Sequence, residues 1–310
     1  MLKSDSIESV HFIEPGKSYL PELDAYTEFL TMRGIGVSRH TSIDTVPSNA
    51  GVIWVICGSA PAIPSRFKKE LIVVHEYASA SVGCLAFLKD RFKCLFHSKP
   101  TYRVFLNEWV ERQFNFKDNV PSFLRDMGVP HYFFTTEPSD KRFDYIYVGE
   151  TSRLLAFRDE LSALSLAGKS LVIIGSYSKK LENLVSTLPN VNLLGRKNQS
   201  DIPYFLSKAK AGLNLMPLQR PYIYQTATKV YEYLAAGLPV VSNSYKWIDN
   251  LSNEHEEAIF VRNKLSSPEC WNEVENELIN HHAEKDRIEK YSWQTQMSSF
   301  GLLQALNLKP

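Results

Sequence analysis

The sequence predicts an α/β protein with two doubly wound parallel sheets, one in each half of the 310-residue chain. Short apolar segments alternate with amphipathic helical segments along both halves, as in parallel sheets that carry helices on both faces. Residues 52–56 are continuously apolar, which is typical of a strand buried on both sides. Because ligands of such sheets bind beyond the carboxyl ends of the strands, we expect two Rossmann-like domains facing a substrate cleft.

The first half contains apolar segments that we interpret as strands, at residues 10–14, 52–56, 71–74 and 103–106. Helical patterns occupy residues 19–32 and 84–96. A polar, proline-flanked stretch at residues 130–143 is the expected linker between domains. We therefore place the N-terminal domain at residues 1–140.

The second half repeats this alternation with six expected strands, at residues 145–148, 171–174, 191–194, 212–216, 239–242 and 258–261. Helical patterns separate these strands, and the last segment, residues 291–308, is also helical. We therefore place the second domain at residues 141–289 and a C-terminal helix at residues 290–310.

The composition is that of an ordinary globular protein, with 44% hydrophobic and 22% charged residues. A net charge of +1 gives no general attraction to nucleic acid, so we expect no nucleic-acid partner. The four cysteines, Cys57, Cys84, Cys94 and Cys270, lack the paired spacing of a metal site, which fits a reducing cytoplasm. No signal-peptide layout and no apolar run of the ~20 residues that cross a bilayer are present. We therefore expect a cytoplasmic protein.

The segment TKVYEYLAAGLPVVSN, residues 228–243, is the most informative part of the chain. A helical pattern begins beside Thr228, stops at Gly237 and turns at Pro239 into a short β-branched strand. Lys229 and Glu232 lie three residues apart, on one face of this helix near its positive N-terminus. A cation there suits a phosphate and a carboxylate suits a ribose diol, while a solvated ion pair is the alternative.

This segment resembles the donor-binding helix of GT-B glycosyltransferases, especially the large bacterial family four (glycosyl transferases group 1) that builds surface polysaccharides. The preceding residues 189–218, PNVNLLGRKNQSDIPYFLSKAKAGLNLMPL, resemble the strand–helix–strand that leads into that helix. The resemblance implies a GT-B fold, with an acceptor-side first domain and a C-terminal helix that crosses back to it. It also implies a nucleotide-sugar donor, expected to be UDP-linked, and a saccharide or lipid-linked saccharide acceptor. No metal is expected, and Glu232 is expected to bind the ribose.

Further donor-binding residues follow from the same resemblance. Gly195 and Arg196 correspond to the loop that contacts the nucleobase, and Lys229 is expected at the diphosphate. The family often has two acids eight residues apart, but the upstream position here is Tyr224. Contact with the donor sugar is therefore expected from residues 220–228, through Tyr222, Tyr224, Gln225 or backbone amides.

The usual basic pair after the first strand of the second domain is disturbed, because Glu150 follows Gly149. We expect Arg153 to compensate as a donor ligand, with a surface arginine as the alternative. Thr228 is expected either to cap the helix or to touch phosphate, and capping is the favoured role.

The first half offers candidates for the reacting centre. His75 follows the predicted strand 71–74, and related retaining enzymes place a histidine near here, hydrogen-bonded to the donor sugar; a core histidine is the alternative. Glu76, Glu108 and Glu14 also follow strands, and each is either the base of an inverting reaction or an ordinary strand-end carboxylate. The turn at Gly16 is expected to let an acceptor approach the backbone. By resemblance we favour retention, which needs no carboxylate base.

Residues 85–103, LAFLKDRFKCLFHSKPTYR, combine an apolar helical stripe with lysines and arginines. Such a helix either rests peripherally on anionic lipid, where a lipid-linked acceptor is presented, or packs on the core with its basic side in water. Two other functions fit the same fold. A sugar-nucleotide epimerase is one, and a catalytically silent sugar-nucleotide-binding subunit, consistent with Tyr224, is the other.

Overall fold

The computed structural model of the protein describes residues 7–14, 20–56, 60–81, 85–278 and 288–306. The predicted acceptor turn at Gly16 lies outside these residues. The chain divides into two compact units, the first formed by Met1–Gly128 with Trp293–Pro310 and the second by Val129–Ser292. Each unit contains a six-stranded parallel sheet with flanking helices. The predicted α/β fold class with two doubly wound sheets is confirmed.

The sheet of the first unit consists of β1 (Ser9–Ile13), β2 (Gly36–His40), β3 (Val52–Ile56), β4 (Ile72–Tyr77), β5 (Tyr102–Phe105) and β6 (Ser122–Leu124). The helices between them are α1 (Pro21–Thr31), α2 (Ala86–Phe96) and α3 (Glu108–Phe114). The strand order is β2-β1-β3-β4-β5-β6, with every pair parallel. The continuously apolar strand β3 lies at the centre and all five of its residues are buried.

Two strands of this sheet, β2 and β6, were not predicted from the sequence. Both lie at edges of the sheet, and neither contains a fully buried residue. An edge strand needs no continuous apolar run, so the hydrophobic pattern gives no signal there. Strand β4 also continues to Tyr77, three residues beyond its predicted end, because His75 and Glu76 are buried despite being polar.

The sheet of the second unit consists of β7 (Phe143–Val148), β8 (Leu171–Ile174), β9 (Val191–Gly195), β10 (Ala209–Asn214), β11 (Val240–Asn243) and β12 (Ile259–Arg262). Its helices are α4 (His131–Phe134), α5 (Arg158–Leu166), α6 (Lys179–Val185), α7 (Ile202–Ser207), α8 (Thr228–Ala235), α9 (Lys246–Ser252) and α10 (Pro268–Leu278). The parallel order is β12-β11-β10-β7-β8-β9, so the winding direction reverses between β7 and β10. This reversal is a topological switch point, where ligands of doubly wound sheets bind.

The boundary between the units lies earlier than the predicted linker. The second unit begins at Val129, and Val129 and Phe133 are fully buried in its core. Two C-terminal helices, α11 (Trp293–Ser299) and α12 (Gly301–Ala305), replace the single predicted helix and belong to the first unit. Their buried side chains pack in the core of that unit.

Candidate donor site

A cavity of about 370 Å³ lies at the switch point of the second sheet. Ser152 and Arg153 reach it from the segment after β7, and Pro217, Gln219 and Tyr222 reach it from the segment after β10. Because β7 and β10 are neighbours with outgoing connections on opposite sides, a space opens beyond their carboxyl ends. The cavity is therefore where the topology alone places a ligand.

Two glycine loops pack tightly beside this cavity. Gly149 directly follows β7 and Gly175 directly follows β8, with φ values of +125° and +153°. A Cβ atom on Gly175 would lie only 2.1 Å from the carbonyl oxygen of Gly149, so the loops approach as closely as backbone allows. The Thr151 hydroxyl donates to the Ser176 carbonyl at 2.5 Å and fixes the approach.

Helix α8 is held on the sheet by Tyr233. Its ring lies over Gly212, where an added Cβ would come within 2.2 Å of the ring. Its hydroxyl accepts a hydrogen bond from the backbone N–H of Val148 at 2.8 Å, which ties the helix to the end of β7. Thr228 does not cap this helix, because the N-cap is Ala227 and Thr228 is already in the first turn. The capping role that we favoured from the sequence is therefore wrong.

Lys229 is a buried amine, only 9% exposed. Its Nζ lies 3.6 Å from the centre of the Tyr147 ring and has no hydrogen-bond partner among the described residues. Burial and the nearby charge of Arg153 lower the pKa of Lys229 well below its usual value, against the opposite influence of Glu232. The aromatic face gives only part of the stabilisation that a desolvated ammonium needs. This side chain therefore fits an anion supplied by a ligand.

Glu232 lies one turn further along α8 and is also buried. Its Oε1 accepts a hydrogen bond from the Gln199 side-chain amide at 2.6 Å. Burial raises the pKa of Glu232 to about 7, although the Gln199 hydrogen bond and the charge of Lys229 both lower it. Gln199 was not predicted from the sequence, because it lies 33 residues before Glu232 and only the fold brings the two side chains together.

Arg153 and Gln225 each have a buried N–H group that can donate a hydrogen bond to a ligand. The Nε of Arg153 and the Nε2 of Gln225 are buried, and neither has a hydrogen-bond partner in the described part of the chain. The Arg153 guanidinium lies 4.5 Å from the centre of the Tyr222 ring and also contacts the Met216 sulfur at 3.6 Å. Arg153 is thus not a solvated surface arginine but part of the cavity wall.

The remaining predicted donor residues are more exposed. Gly195 ends β9 with a φ of +71°, and Arg196 after it is exposed. Tyr224 is half-buried in the turn Tyr222–Tyr224, with the Arg220 guanidinium 5.8 Å from its ring centre. These three residues lie beyond the carboxyl ends of β9 and β10, as the resemblance implied, and their contacts with a ligand stay predictions.

In the first unit, His75 is completely buried. It lies inside β4 rather than after it, and neither ring nitrogen has a hydrogen-bond partner within the described ranges. Burial, with the charges of His97 and Arg103, lowers the pKa of His75 to about 3, so the imidazole is neutral. Complete burial disfavours direct contact with a sugar hydroxyl, but the two unpartnered nitrogens do not match a satisfied core histidine either, so the role of His75 stays a prediction.

Glu76 does not fit the role of a catalytic base. It is completely buried, and its carboxylate forms an ion pair with the buried guanidinium of Arg125. Tyr26 and Trp54 donate to its other oxygen at 3.2 and 2.7 Å. All of these partners are core side chains of the first unit, so the carboxylate is committed to structure.

Glu108 is exposed at the start of α3 and pairs with Arg112 one turn along the helix. The backbone N–H of Glu14, just past β1, donates to His40. Glu108 therefore behaves as an ordinary surface carboxylate, and the role of the Glu14 carboxylate stays a prediction.

Helix α2 packs on the core through Asp90 and Cys94, but its apolar stripe faces away from the core. Leu88, Phe92, Leu95 and Phe96 are all more than half exposed, and the rings of Phe92 and Phe96 stack at 4.2 Å between centres. Within the described residues, no helix is both long and apolar enough to span a bilayer. The same residues contain no group of three or more His, Cys, Asp or Glu side chains arranged for a metal ion.

The match to a known protein family falls mainly in the second unit. Residues 153–298, a little under half of the chain, match the family model described as glycosyl transferase-like. No curated protein sequence matches the chain significantly.

Solved structures match over nearly the whole length. Anabaena Alr3699/HepE, in complex with UDP and glucose, has a TM-score of 0.67 and 12% identity, covering 97% of this chain and 100% of its own. AviGT4, a glycosyltransferase involved in avilamycin A biosynthesis, has a TM-score of 0.65 and 11% identity, covering 96% and 97%. WaaG, a glycosyltransferase involved in lipopolysaccharide biosynthesis, has a TM-score of 0.57 and 13% identity, covering 97% and 99%.

These likenesses show the GT-B fold, and the family match covers α8 with Lys229 and Glu232. Residues 153–298 are therefore similar to glycosyl transferase-like proteins, and the chain has the GT-B fold of the solved glycosyltransferases.

Proposed function

We propose that this protein transfers a sugar from a UDP-linked donor to a saccharide or lipid-linked saccharide in surface-polysaccharide assembly. The observation that carries the proposal is the buried, unpartnered ammonium of Lys229 at the switch point of the second sheet. A nucleoside diphosphate would supply the missing anion. HepE, a structural neighbour, has been solved with UDP and glucose, which supports this choice of donor.

Different polar side chains around Lys229 bind the diphosphate and the ribose of the donor. Lys229 and Arg153 neutralise the diphosphate, and the negative charge restores the protonated form that burial of Lys229 disfavours. Glu232, held by Gln199, accepts from the ribose hydroxyls. Departure of UDP is assisted by these cations without a metal ion, because charge develops on the diphosphate as the glycosidic bond breaks.

The donor sugar occupies the cavity beside Arg153, Gln219 and Tyr222. Tyr224 stands where related enzymes often carry an acid, so uncharged groups such as Gln225 and backbone amides hold the sugar hydroxyls. We propose retention of configuration, a course that requires no carboxylate base. The commitment of Glu76 to Arg125 supports this choice, since Glu76 was a candidate for that base.

The acceptor is presented at a membrane surface, with peripheral contact through residues 85–103. The exposed apolar residues of α2, among lysines and arginines, support this contact.

Titration calorimetry with UDP tests the donor assignment. Replacing Glu232 with alanine should weaken UDP binding by about 1.5–3 kcal/mol, or roughly 10- to 150-fold, the range for hydrogen bonds to charged groups. The wild type should also discriminate against 2′,3′-dideoxy-UDP by a similar factor, and the variant should not. Unchanged UDP affinity in folded Glu232→Ala would contradict the ribose contact.

Product analysis separates transfer from the alternatives. NMR of the anomeric proton reports retention or inversion directly. A silent binding subunit would bind UDP-sugar without hydrolysing it, and an epimerase would turn over without any acceptor.

A further inference from the structure

A second cavity, also of about 370 Å³, lies at the amino ends of β4 and β5 in the first unit. Its apolar wall includes Phe67, Leu71 and Pro100. Lys68 and Lys69 line one side and Lys99 the other, and all three side chains are exposed. Among the described residues that line it, none is acidic, although Glu70 is adjacent in sequence. This cavity is distinct from the donor site, which belongs to the second unit.

The cavity adjoins the end of α2 where the apolar residues are most exposed. Leu95 and Phe96, at that end, are 77% and 67% exposed, and Lys99 follows three residues later. The Ser98 hydroxyl donates to the Pro61 carbonyl at 3.1 Å, which fixes the cavity-bearing loop beside the end of α2. The exposed apolar residues of α2, which we call the α2 ridge, therefore form one continuous surface with the basic cavity.

Basic residues outnumber acidic ones on this surface, where Glu70 is the exposed acid next to the cavity. Lys89, Arg91 and Lys93 flank the ridge, and the acid of α2, Asp90, is buried and accepts from the Ser81 N–H at 3.1 and 3.2 Å. Six cations thus surround the ridge and cavity, on a chain whose net charge is only +1. Protein partners normally meet mixed charge, whereas an apolar ridge rimmed by cations complements an anionic bilayer.

We propose that the cavity lined by Lys68, Lys69 and Lys99 binds the terminal phosphate of an anionic lipid headgroup while the α2 ridge enters the bilayer interface. The inference deepens the membrane contact proposed above and does not depend on the donor or the reaction. Three ammonium groups around a concave site favour a phosphate monoester, which carries more charge and is less covered than a diester. Such a site would make the protein prefer one kind of headgroup, whereas general attraction to a negatively charged membrane would not.

Vesicle co-sedimentation of the full chain tests the proposal, with two sets of phosphatidylcholine vesicles matched in zeta potential. One contains phosphatidic acid, a terminal monoester, and the other phosphatidylglycerol, a diester. The wild type should bind both and favour phosphatidic acid severalfold. No preference in the wild type would overturn the headgroup site.

Matched variants locate the preference. Lys68→Gln/Lys69→Gln/Lys99→Gln and Lys89→Gln/Arg91→Gln/Lys93→Gln remove equal charge, and each should weaken binding by roughly fivefold per cation. Only the cavity variant should lose the preference for phosphatidic acid. Equal preference in both variants would overturn the cavity while leaving the membrane contact intact. Binding of millimolar inorganic phosphate in the absence of lipid, together with no preference between the two vesicles, would show a free-phosphate site instead and contradict the proposal.

Because all variants are assayed without nucleotide, the result is independent of the donor assignment. Phe92→Ser/Phe96→Ser should abolish sedimentation with both vesicles, since it removes the apolar ridge. Retained sedimentation of that variant would contradict the contact itself.

Discussion

The two units bury charge in opposite ways. In the first, the Arg125 guanidinium is paired with Glu76, and Tyr26 contacts both groups. In the second, the Lys229 ammonium lies over an aromatic ring with no hydrogen-bond partner among the described residues. Both cations are almost completely withdrawn from water.

The difference separates a structural charge from a binding charge. Burying an ion is costly unless a partner replaces the lost hydration, so native cores pair their charges. A buried ion without a protein partner marks a place where the fold is less stable than it could be, and a bound anion removes that cost. The comparison therefore predicts opposite responses when each charge is removed.

The largest effect is expected in the first unit. Glu76→Gln removes the nearer counter-ion of buried Arg125 and leaves only Glu22, 4.0 Å away, so it should reduce the free energy of unfolding by up to about 3–5 kcal/mol. Urea unfolding monitored by tryptophan fluorescence measures this loss. The matched control is Glu232→Gln, which should cost far less because the pKa of Glu232, raised to about 7 by burial, already favours the neutral form below neutrality. Equal losses in the two variants would remove the distinction between the units.

Lys229→Met is the reciprocal test. Replacing an unpartnered buried ammonium with an apolar chain of similar size should leave the ligand-free protein as stable as the wild type, or more so. UDP binding should weaken by about 1.5–3 kcal/mol, since a charged hydrogen bond to phosphate is lost. Binding of uridine should change little. A variant that loses stability, or that loses uridine and UDP equally, would show that Lys229 supports the helix rather than the diphosphate.

The smallest expected effect is a pH dependence of UDP binding. The ribose contact needs an ionised Glu232, whose pKa burial raises to about 7, so affinity should fall as the pH drops below that value, by at most about tenfold per unit. At high pH, UDP affinity should also fall, because the diphosphate needs the protonated amine of Lys229, whose pKa is lowered. Lys229→Met should therefore remove only the alkaline limb. Stability of the free protein should show the reverse sign for Glu232, falling as the pH rises from about 4.5 to 7.

Gln199→Ala sharpens this test, because its hydrogen bond lowers the pKa of Glu232. The variant should shift the acid midpoint of UDP binding upward and cost about 0.5–1.5 kcal/mol of affinity. Asn198→Ala is the control, since Asn198 is exposed and its amide donates to Asp201 instead. An unmoved midpoint in Gln199→Ala would show that Gln199 only packs against the helix.

Local pattern determined much of the second unit. Its six strands were predicted because each contains consecutive apolar residues, and β8 was placed at its observed ends. The helix with Lys229 and Glu232 was also found locally, since a 3.6-residue pattern bounded by Gly237 and Pro239 is visible within 16 residues. The predictions that failed also depended on local pattern. The edge strands β2 and β6 of the first unit lack an apolar run and were not predicted. Thr228 was predicted as the helix cap, but the N-cap residue is Ala227.

By itself, the sequence determined the alternation of strands and helices and the spacing of Lys229 and Glu232. Only the tertiary structure decided which polar groups have partners. Glu76 meets Arg125 across 49 residues and Glu232 meets Gln199 across 33, whereas Lys229 meets no such partner among the described residues. Periodicity depends on neighbours within a turn or two of chain, but burial and charge pairing depend on contacts between distant segments. Which side chain each carboxylate pairs with was therefore settled by the fold.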